Sequence, residues 1–451
     1  LPDDLARKAA RLFAVLESKR PKNALRRRYY EGRNKLKDLG ISTPPQILHM
    51  ADLEMVVGWP QRAVDALAVR SRFDGFSADD GEVQAVLDDI VDRSDLKSAY
   101  AMAMQDELIN SCSFATVSTD DMGGARIQMY DAEQAAAVWD RAKMRIAYGL
   151  TVDVEDDGVI EEATVHTDEG ALHLYGDRQG FYDWDFEPYA MGRPAMECFA
   201  YRPTGRRPFG ISRISRAVRS LTDSAVRVAL GGDISYQFAV APQKYLLNSD
   251  HDPRDGRTLW EAYIGSIFAI SNDAGNSAPV YGQLAQASMQ QTVDYMRLLA
   301  SRFSSETYVP LHQLGVTADA NPTSSDAIKA ANEPLIVEAE TLNDGARRSL
   351  KSLALMALAA ERDVPLSDLD QSWRDFSVSM RSPSMPSAVS QADAAVKIAA
   401  AVPDFAGTPT FWEMVGFDED ARRRIESEVA GVSASNVFAA MLSGGADGST
   451  A

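Results

Sequence analysis

The sequence predicts an α+β fold, in which helical stretches flank a strand-rich middle and two long helices bracket a small irregular insert. Between 114 and 201, short runs of β-branched and aromatic residues are separated by Gly, Asp and Pro clusters, as strands and turns require. Between 211 and 230, Ile211, Ile214, Val218, Leu221, Ala225 and Val228 step by three and four, the pattern of a helix with one apolar face. After 285, Met289, Val293, Met296, Ala300 and Phe303 repeat that stepping.

Taken in order, Leu5, Ala9, Leu12 and Leu16 predict a helix over 2 to 37 that runs into the basic aromatic stretch RRRYYEGRNKL at 26 to 36. Gly40 and the Pro44-Pro45 pair end it. A second helix is expected over 60 to 69, opened by Pro60 in its first turn, and a third, acidic one over 81 to 110. Inside the strand-rich part, 159 to 166 and 171 to 175 read as a hairpin across Thr167-Asp168-Glu169-Gly170. On the 211 to 230 helix, Arg213, Arg216, Arg219 and Arg227 fall opposite the apolar stripe, and Gly231-Gly232 reads as its stop. The insert from 236 to 284 holds Pro242, Pro253 and Pro279 around two apolar runs, 244 to 247 and 263 to 270. A loop over 308 to 324 then leads to a long helix over 325 to 361. Pro334 is expected to bend it, because a proline removes one helical hydrogen bond and crowds the preceding turn. Beyond a linker at 381 to 389, helices are expected near 390 to 401, 409 to 416 and 418 to 442, and GGADGSTA reads as a disordered tail.

The 451 residues suffice for two or three modules with cores of their own. With 46 basic against 65 acidic side chains the formal charge is −19, the reverse of what a protein gripping nucleic acid through phosphates needs. Cys112 and Cys198 are far apart in sequence and match no metal or redox spacing, which fits a reducing compartment. No apolar run reaches the roughly 18 residues of a membrane span. The signatures GxxxxGK[ST], GxGxxG after a strand, HExxH and GxSxG are all missing. Asp153, Glu155, Asp157 and Gly158 imitate the first half of a calcium loop, but Thr164 stands where the closing glutamate belongs, so a solvated turn is expected. His166 and His173, on the two arms of the hairpin, read as structural residues, and Asp88, Asp89, Asp92 and Asp95 as an exposed helix face. Arg26, Arg27 and Arg28 beside Tyr29 and Tyr30 suit either a subunit contact or DNA. The arginine face of the 211 to 230 helix suits either carboxylates of a neighbouring chain or a phosphate backbone, and periodicity does not choose. No cofactor, metal or catalytic set is expected. The competing readings are a metal-dependent hydrolase or nuclease using Asp153 and Asp157, and a head-completion adaptor, for which the chain is too large.

Four segments, in matching order and spacing, resemble the portal or head-to-tail connector proteins of tailed bacteriophages, in particular those of siphophages infecting actinobacteria. They are Tyr29-Tyr30-Glu31-Gly32, RPFGISRISRAVRSLTDSAVR at 207 to 227, APQKYLLN at 241 to 248, and VPLHQLGV with NPTSSDAIKAAN within 309 to 332. The resemblance spans roughly residues 10 to 430. It implies an α+β wing over 1 to 206, a first stem helix over 207 to 235, a clip over 236 to 284 and a second stem helix over 285 to 305. A tunnel loop over 306 to 324, a kinked long helix with a return to the wing over 325 to 380, a helical crown over 381 to 443 and a disordered tail over 444 to 451 would follow.

By the same resemblance the chain is expected to be no enzyme but a subunit of a dodecameric ring at one capsid vertex. That ring is a channel for genome packaging and ejection, sited in the virion after assembly in the host cytoplasm. Expected partners are eleven further copies, double-stranded DNA bound without sequence preference, the terminase large subunit that supplies energy, a head-completion adaptor, and the major capsid and scaffolding proteins; no membrane is involved. The tunnel loop would present Val309, Leu311, His312, Gln313, Leu314 and Val316 to DNA. The stem would pack or present its charged face through Ile214, Val218, Leu221, Arg213, Arg216, Arg219, Arg227, Met289, Val293 and Met296. Twelve chains at −19 carry about −228, so a duplex in the bore is repelled from every side and slides, with no fixed register in which bases could be read.

Overall fold

The computed structural model describes residues 1–33, 55–119, 123–154, 159–240, 244–247, 267–270, 280–283, 289–316, 324–384 and 388–402, and the single positions 408, 411, 415 and 424. The chain divides into two units, Leu1–Pro383 and Ser384–Ala451. Among the described residues the second holds the helix Ala388–Ala401, near the first of the three helices expected after the linker. The other two lie outside the described residues except for those single positions.

The first unit opens with helix α1 (Asp3–Tyr30), shorter than the 2 to 37 expected. Its buried Ala9, Leu12 and Leu16 lie on one face of a five-stranded antiparallel sheet, where Leu150, Val152, Ala163, Val165 and Leu172 meet them. That sheet has the order β4 (Ala135–Asp140), β5 (Arg145–Val154), β6 (Ile160–His166), β7 (Gly170–Asp177), β8 (Gly180–Pro188). The expected hairpin is β6 with β7, His166 facing Ala171 across a turn in which the Thr167 hydroxyl donates to the Gly170 carbonyl at 2.8 Å.

The main core is built from α2 (Trp59–Ala68), α3 (Gly81–Arg93), α4 (Leu96–Asn110) and the long α7 (Ser325–Glu361), gathered around β3 (Ala125–Asp131), β2 (Cys112–Thr119) and β9 (Met196–Ala200). The single acidic helix expected over 81 to 110 is two helices. Asp95 takes φ 41° and the Ser94 hydroxyl accepts from the Ile127 amide at 2.9 Å, which turns the chain so that Leu96 as well as Ile90 is buried. Asp88, Asp89, Asp92 and Asp95 are exposed, as expected. A pairing the sequence did not suggest joins β1 (Phe73–Ala78) to β13 (Phe376–Met380), with the Phe76 and Phe376 rings edge to face at 5.7 Å. Cys112 and Cys198, distant in sequence, come together as buried free thiols on adjacent strands of one apolar cluster.

Two helices, α5 (Arg216–Val240) and α6 (Gln290–Thr307), leave this body antiparallel. Ser215 donates to Glu306 at one end, and Gly232 lies against Thr292 at the other. Gly231-Gly232 therefore does not stop α5. A side chain at 232 would begin 3.1 Å from the Thr292 methyl, so the glycine allows the close approach and the helix continues past it. Between the helices, β10 (Lys244–Leu247) pairs parallel with β11 (Ile267–Ile270) and antiparallel with β12 (Val280–Gln283), in agreement with the two apolar runs. Helix α7 runs on through Pro334, capped by Ser324, whose hydroxyl accepts from the Ala327 amide at 3.2 Å.

Entry into α5 depends on Gly210. It has φ +68°, and a Cβ there would sit 2.2 Å from the Tyr201 carbonyl oxygen. Gly210→Ala is expected to lower stability by about 1–3 kcal/mol from backbone strain alone, and by more from the clash. A urea-denaturation midpoint unchanged from wild type would contradict this reading.

Candidate functional site

Several of the residues expected to serve function, Arg213, Ile214, Val218, Val309 and Leu314 among them, converge where the helix pair joins the body. Immediately before α5, the Ser212 hydroxyl donates to the Ile109 carbonyl at 2.6 Å and the Arg213 amide to the Leu108 carbonyl at 2.9 Å, so the chain is pinned to the end of α4. Arg213 is thereby held outside the helix and buried, not on an exposed charged face as expected. Its guanidinium donates to Glu338 Oε2 in mid-α7 at 2.7 Å, to the Tyr201 hydroxyl at 2.8 Å, to the Thr307 carbonyl closing α6 at 2.6 Å and to the Ala63 carbonyl of α2. Glu338, also buried, takes Tyr201 and the half-exposed Arg202 on its other oxygen. A guanidinium offers five N–H donors in a rigid fork, and here they are aimed at acceptors from four parts of the fold.

The apolar stripe of α5 turns inward as well. Ile214 and Val218 are buried and Leu221 is half-buried in the main core, joined by half-buried Met296 from α6, so all four pack within the single chain. Arg216 and Arg227 are exposed, and Arg219 lies over the Tyr29 ring at 5.8 Å. Met289 is half-buried at the start of α6, and Val293 is exposed. So are Tyr295 and Leu298, at 48 % and 45 %, and Tyr236 on α5 at 61 %, which leaves the outside of the helix pair rich in uncovered apolar surface.

The tunnel-loop candidates divide in the same way. Tyr308 ends α6 in the left-handed region, and residues 311 to 314 form a 3-10 turn whose Leu314 carbonyl accepts from the Trp59 indole at 3.3 Å. Val309 and Leu314 are buried in the core, and Leu311 and Val316 pack on it half-buried. Val309 and Leu314 are thereby taken up by the interior of the chain, against the expectation that they face DNA. Gln313 is half-buried, and only His312 of the six is exposed. Residues 317–323 lie outside the described residues.

Within the cluster at 26 to 30, Arg27, Tyr29 and Tyr30 find partners in the same chain. Arg27 binds Glu133 at 2.8 Å, Asp131 at 2.9 Å and Asp106 at 3.2 Å, and burial pushes the Asp106 carboxyl up to about 6. The Tyr29 hydroxyl donates to both oxygens of Asp223 on α5, at 2.8 and 3.0 Å, and Tyr30 to Asp65 on α2 at 2.9 Å. The Tyr-Tyr pair is thus a brace between α1, α2 and α5. Sequence reasoning missed Glu338, Tyr201, Asp223 and Asp65, because nothing local marks a carboxylate on a long helix as the partner of an arginine over a hundred positions away.

Among the described residues, no three His, Cys, Asp or Glu side chains gather where a metal could sit, and no helix is long and apolar enough to cross a membrane. Asp153 lies on the sheet near Glu162, whereas Asp157 is outside the described residues. His173 binds Glu162 at 2.8 Å, and His166 is buried with one ring nitrogen 3.2 Å from the Thr151 hydroxyl.

No family model matches the chain. In sequence it is similar to phage portal proteins. It is 25 % identical over 390 residues to the portal protein of Mycobacterium phage D29, and equally to that of Mycobacterium phage L5, covering 82 % of this chain and 77 % of each relative. Among solved structures, the neck of a native gene transfer agent particle, computed with C12 symmetry, aligns over 86 % of this chain and 99 % of its own at 11 % identity and TM-score 0.44.

Burial, and next the neighbouring His173, holds His166 down to about 4 against an ordinary 6.5. The unfolded chain takes a proton near 6.5 and the folded chain only near 4, so acid in that window favours unfolding. Stability from a neutral His166 is full above pH 6.5 and falls by up to about 3 kcal/mol as pH drops towards 4. His166→Gln is expected to flatten the stability profile over this window relative to wild type; superimposable profiles would contradict it.

Proposed function

We propose that the chain is a phage portal protein, whose identical copies stand side by side as a ring of twelve around an open channel for double-stranded DNA. The observation that carries this is the antiparallel pair α5 and α6. It projects from an α+β body, closes on a small three-stranded sheet, and leaves Tyr236, Val293, Tyr295 and Leu298 uncovered in a single chain. Likeness to two phage portal proteins over 82 % of the chain supports the same reading. In a ring each helix pair meets the next copy, and exposed apolar side chains on a projecting element mark such a contact.

In this reading the body over 1 to 206 is the wing, α5 and α6 are the stem, and β10 to β12 belong to the clip. The clip docks the terminase large subunit during packaging and the head-completion adaptor afterwards. The residues after Val316 and the exposed His312 would approach DNA. The negative charge, −19 per chain, keeps a duplex from sticking to the wall, because like charges repel and few phosphates find a cationic partner. The role is mechanical and not enzymatic: a separate ATPase supplies energy, while capsid and scaffolding proteins hold the ring in the virion.

Native mass spectrometry tests this. Twelve copies of 49.2 kDa come to about 590 kDa. Tyr295→Asp with Leu298→Asp, both exposed in the single chain, is expected to abolish the large particle while leaving a folded monomer. A wild-type protein that stays monomeric with its helices intact, or a double variant that assembles like wild type, would overturn the proposal.

A further inference from the structure

A chain with an excess of 19 acidic groups nevertheless has one cavity from which carboxylates are missing altogether. It measures about 580 Å³ and is bounded by α1, the end of α4, the segment after β9 and the first turns of α5. Lys19, Lys22 and Arg26 come to it from α1, Arg206 and Arg207 from the segment after β9, and Arg216 and Arg219 from α5, with no Asp or Glu in its lining. Chance would have placed more acids than bases here. None of the seven makes an ion pair with a carboxylate among the described residues, whereas Arg27, Arg93 and Arg193, also partly buried, each do.

At the cavity wall lies Asn110, 1 % exposed, with neither its amide nitrogen nor its amide oxygen hydrogen-bonded. A buried amide without partners is unfavourable unless something else fills the space beside it. Next to it, Arg26 is fixed by donating to the Asn110 carbonyl at 2.7 Å and to the Asn23 side chain at 3.2 Å. Burial, and next the repulsion of Arg219, lowers the affinity of Arg26 for its proton. Like charges are thus gathered in a concave, partly buried place where an anion relieves their repulsion.

We infer that this cavity is a binding site for phosphate groups, carried either by a free polyphosphate or by a nucleic-acid backbone. Arginine forks match phosphate oxygens two at a time, and five guanidiniums and two ammoniums exceed what one carboxylate of a neighbouring protein can neutralise. The site stands apart from the ring proposal, since every residue in it belongs to one chain.

Calorimetric titration of the full-length protein with sodium tripolyphosphate, and separately with a duplex of about 20 base pairs, distinguishes the two sources. Saturable binding of tripolyphosphate is expected, weakening about tenfold between roughly 50 and 200 mM salt. It should weaken about tenfold again in the double variant Arg206→Ala, Arg207→Ala, whose side chains are exposed and hold no part of the fold. Duplex binding sensitive to the same variant assigns the site to nucleic-acid backbone, and tripolyphosphate binding alone assigns it to a free anion. If folded wild-type protein binds neither, the inference fails. If it binds neither and the variant also loses self-association, the cavity receives carboxylates of a second copy and the inference is again wrong. Should the variant misfold, saturable and salt-sensitive binding by the wild type still supports the site, and absence of such binding still overturns it.

Discussion

One buried ion pair sets the geometry on which the rest depends. Arg213 and Glu338 are 3 % and 6 % exposed in their side chains, and together they tie α2, the start of α5, the end of α6 and the middle of α7 at a single point. Removing two charges from water is costly, and their attraction offsets that only when every remaining donor and acceptor is used. Here Tyr201, Arg202, Thr307 and Ala63 complete the set, and burial pushes the Tyr201 phenol up to about 12, keeping it a donor. The geometry of a projecting helix pair thus follows from local hydrogen-bond satisfaction: α5 and α6 leave the body where a guanidinium can be fully used.

This arrangement links packing to function. In the proposed ring, a helix pair standing between identical copies would need a rigid root and an adhesive outer side. The root is the charge lock, braced by Tyr29 on Asp223 and by Tyr30 on Asp65. The outer side is the apolar surface of Tyr295 and Leu298. Burial of Val309 and Leu314, with Trp59 holding the Leu314 carbonyl, anchors the loop after α6 to the same root.

Much of the architecture was legible because period and turn chemistry are local. The three-and-four stepping of Ile214, Val218 and Leu221 announced α5, the alternation around Thr167-Asp168-Glu169-Gly170 announced the β6–β7 hairpin, and the two apolar runs of the insert became β10 and β11. What failed was non-local or depended on a single torsion angle. Asp95 in the left-handed region splits one expected helix into two, and Gly232 permits close helix packing where a stop was read. β1 and β13 pair across some 300 positions without a signal. For the site, periodicity placed Arg213 on a helix face, yet the helix begins at Arg216, so its true partner was invisible. The resemblance to portal proteins supplied the order of elements but not which side chains face outwards, because burial depends on neighbours distant in sequence.

A double-mutant cycle on Arg213→Met and Glu338→Met, read by urea denaturation, tests the central claim most directly. Glu338→Met strands the buried Arg213 charge and is expected to remove about 3 kcal/mol or more, Arg213→Met leaves Glu338 only Arg202 and Tyr201 and removes somewhat less, and the double change removes far less than the sum, giving a coupling of at least about 2 kcal/mol. Additive losses, with coupling within about 0.5 kcal/mol, would show that the pair does not hold the root of the helices and would contradict this account.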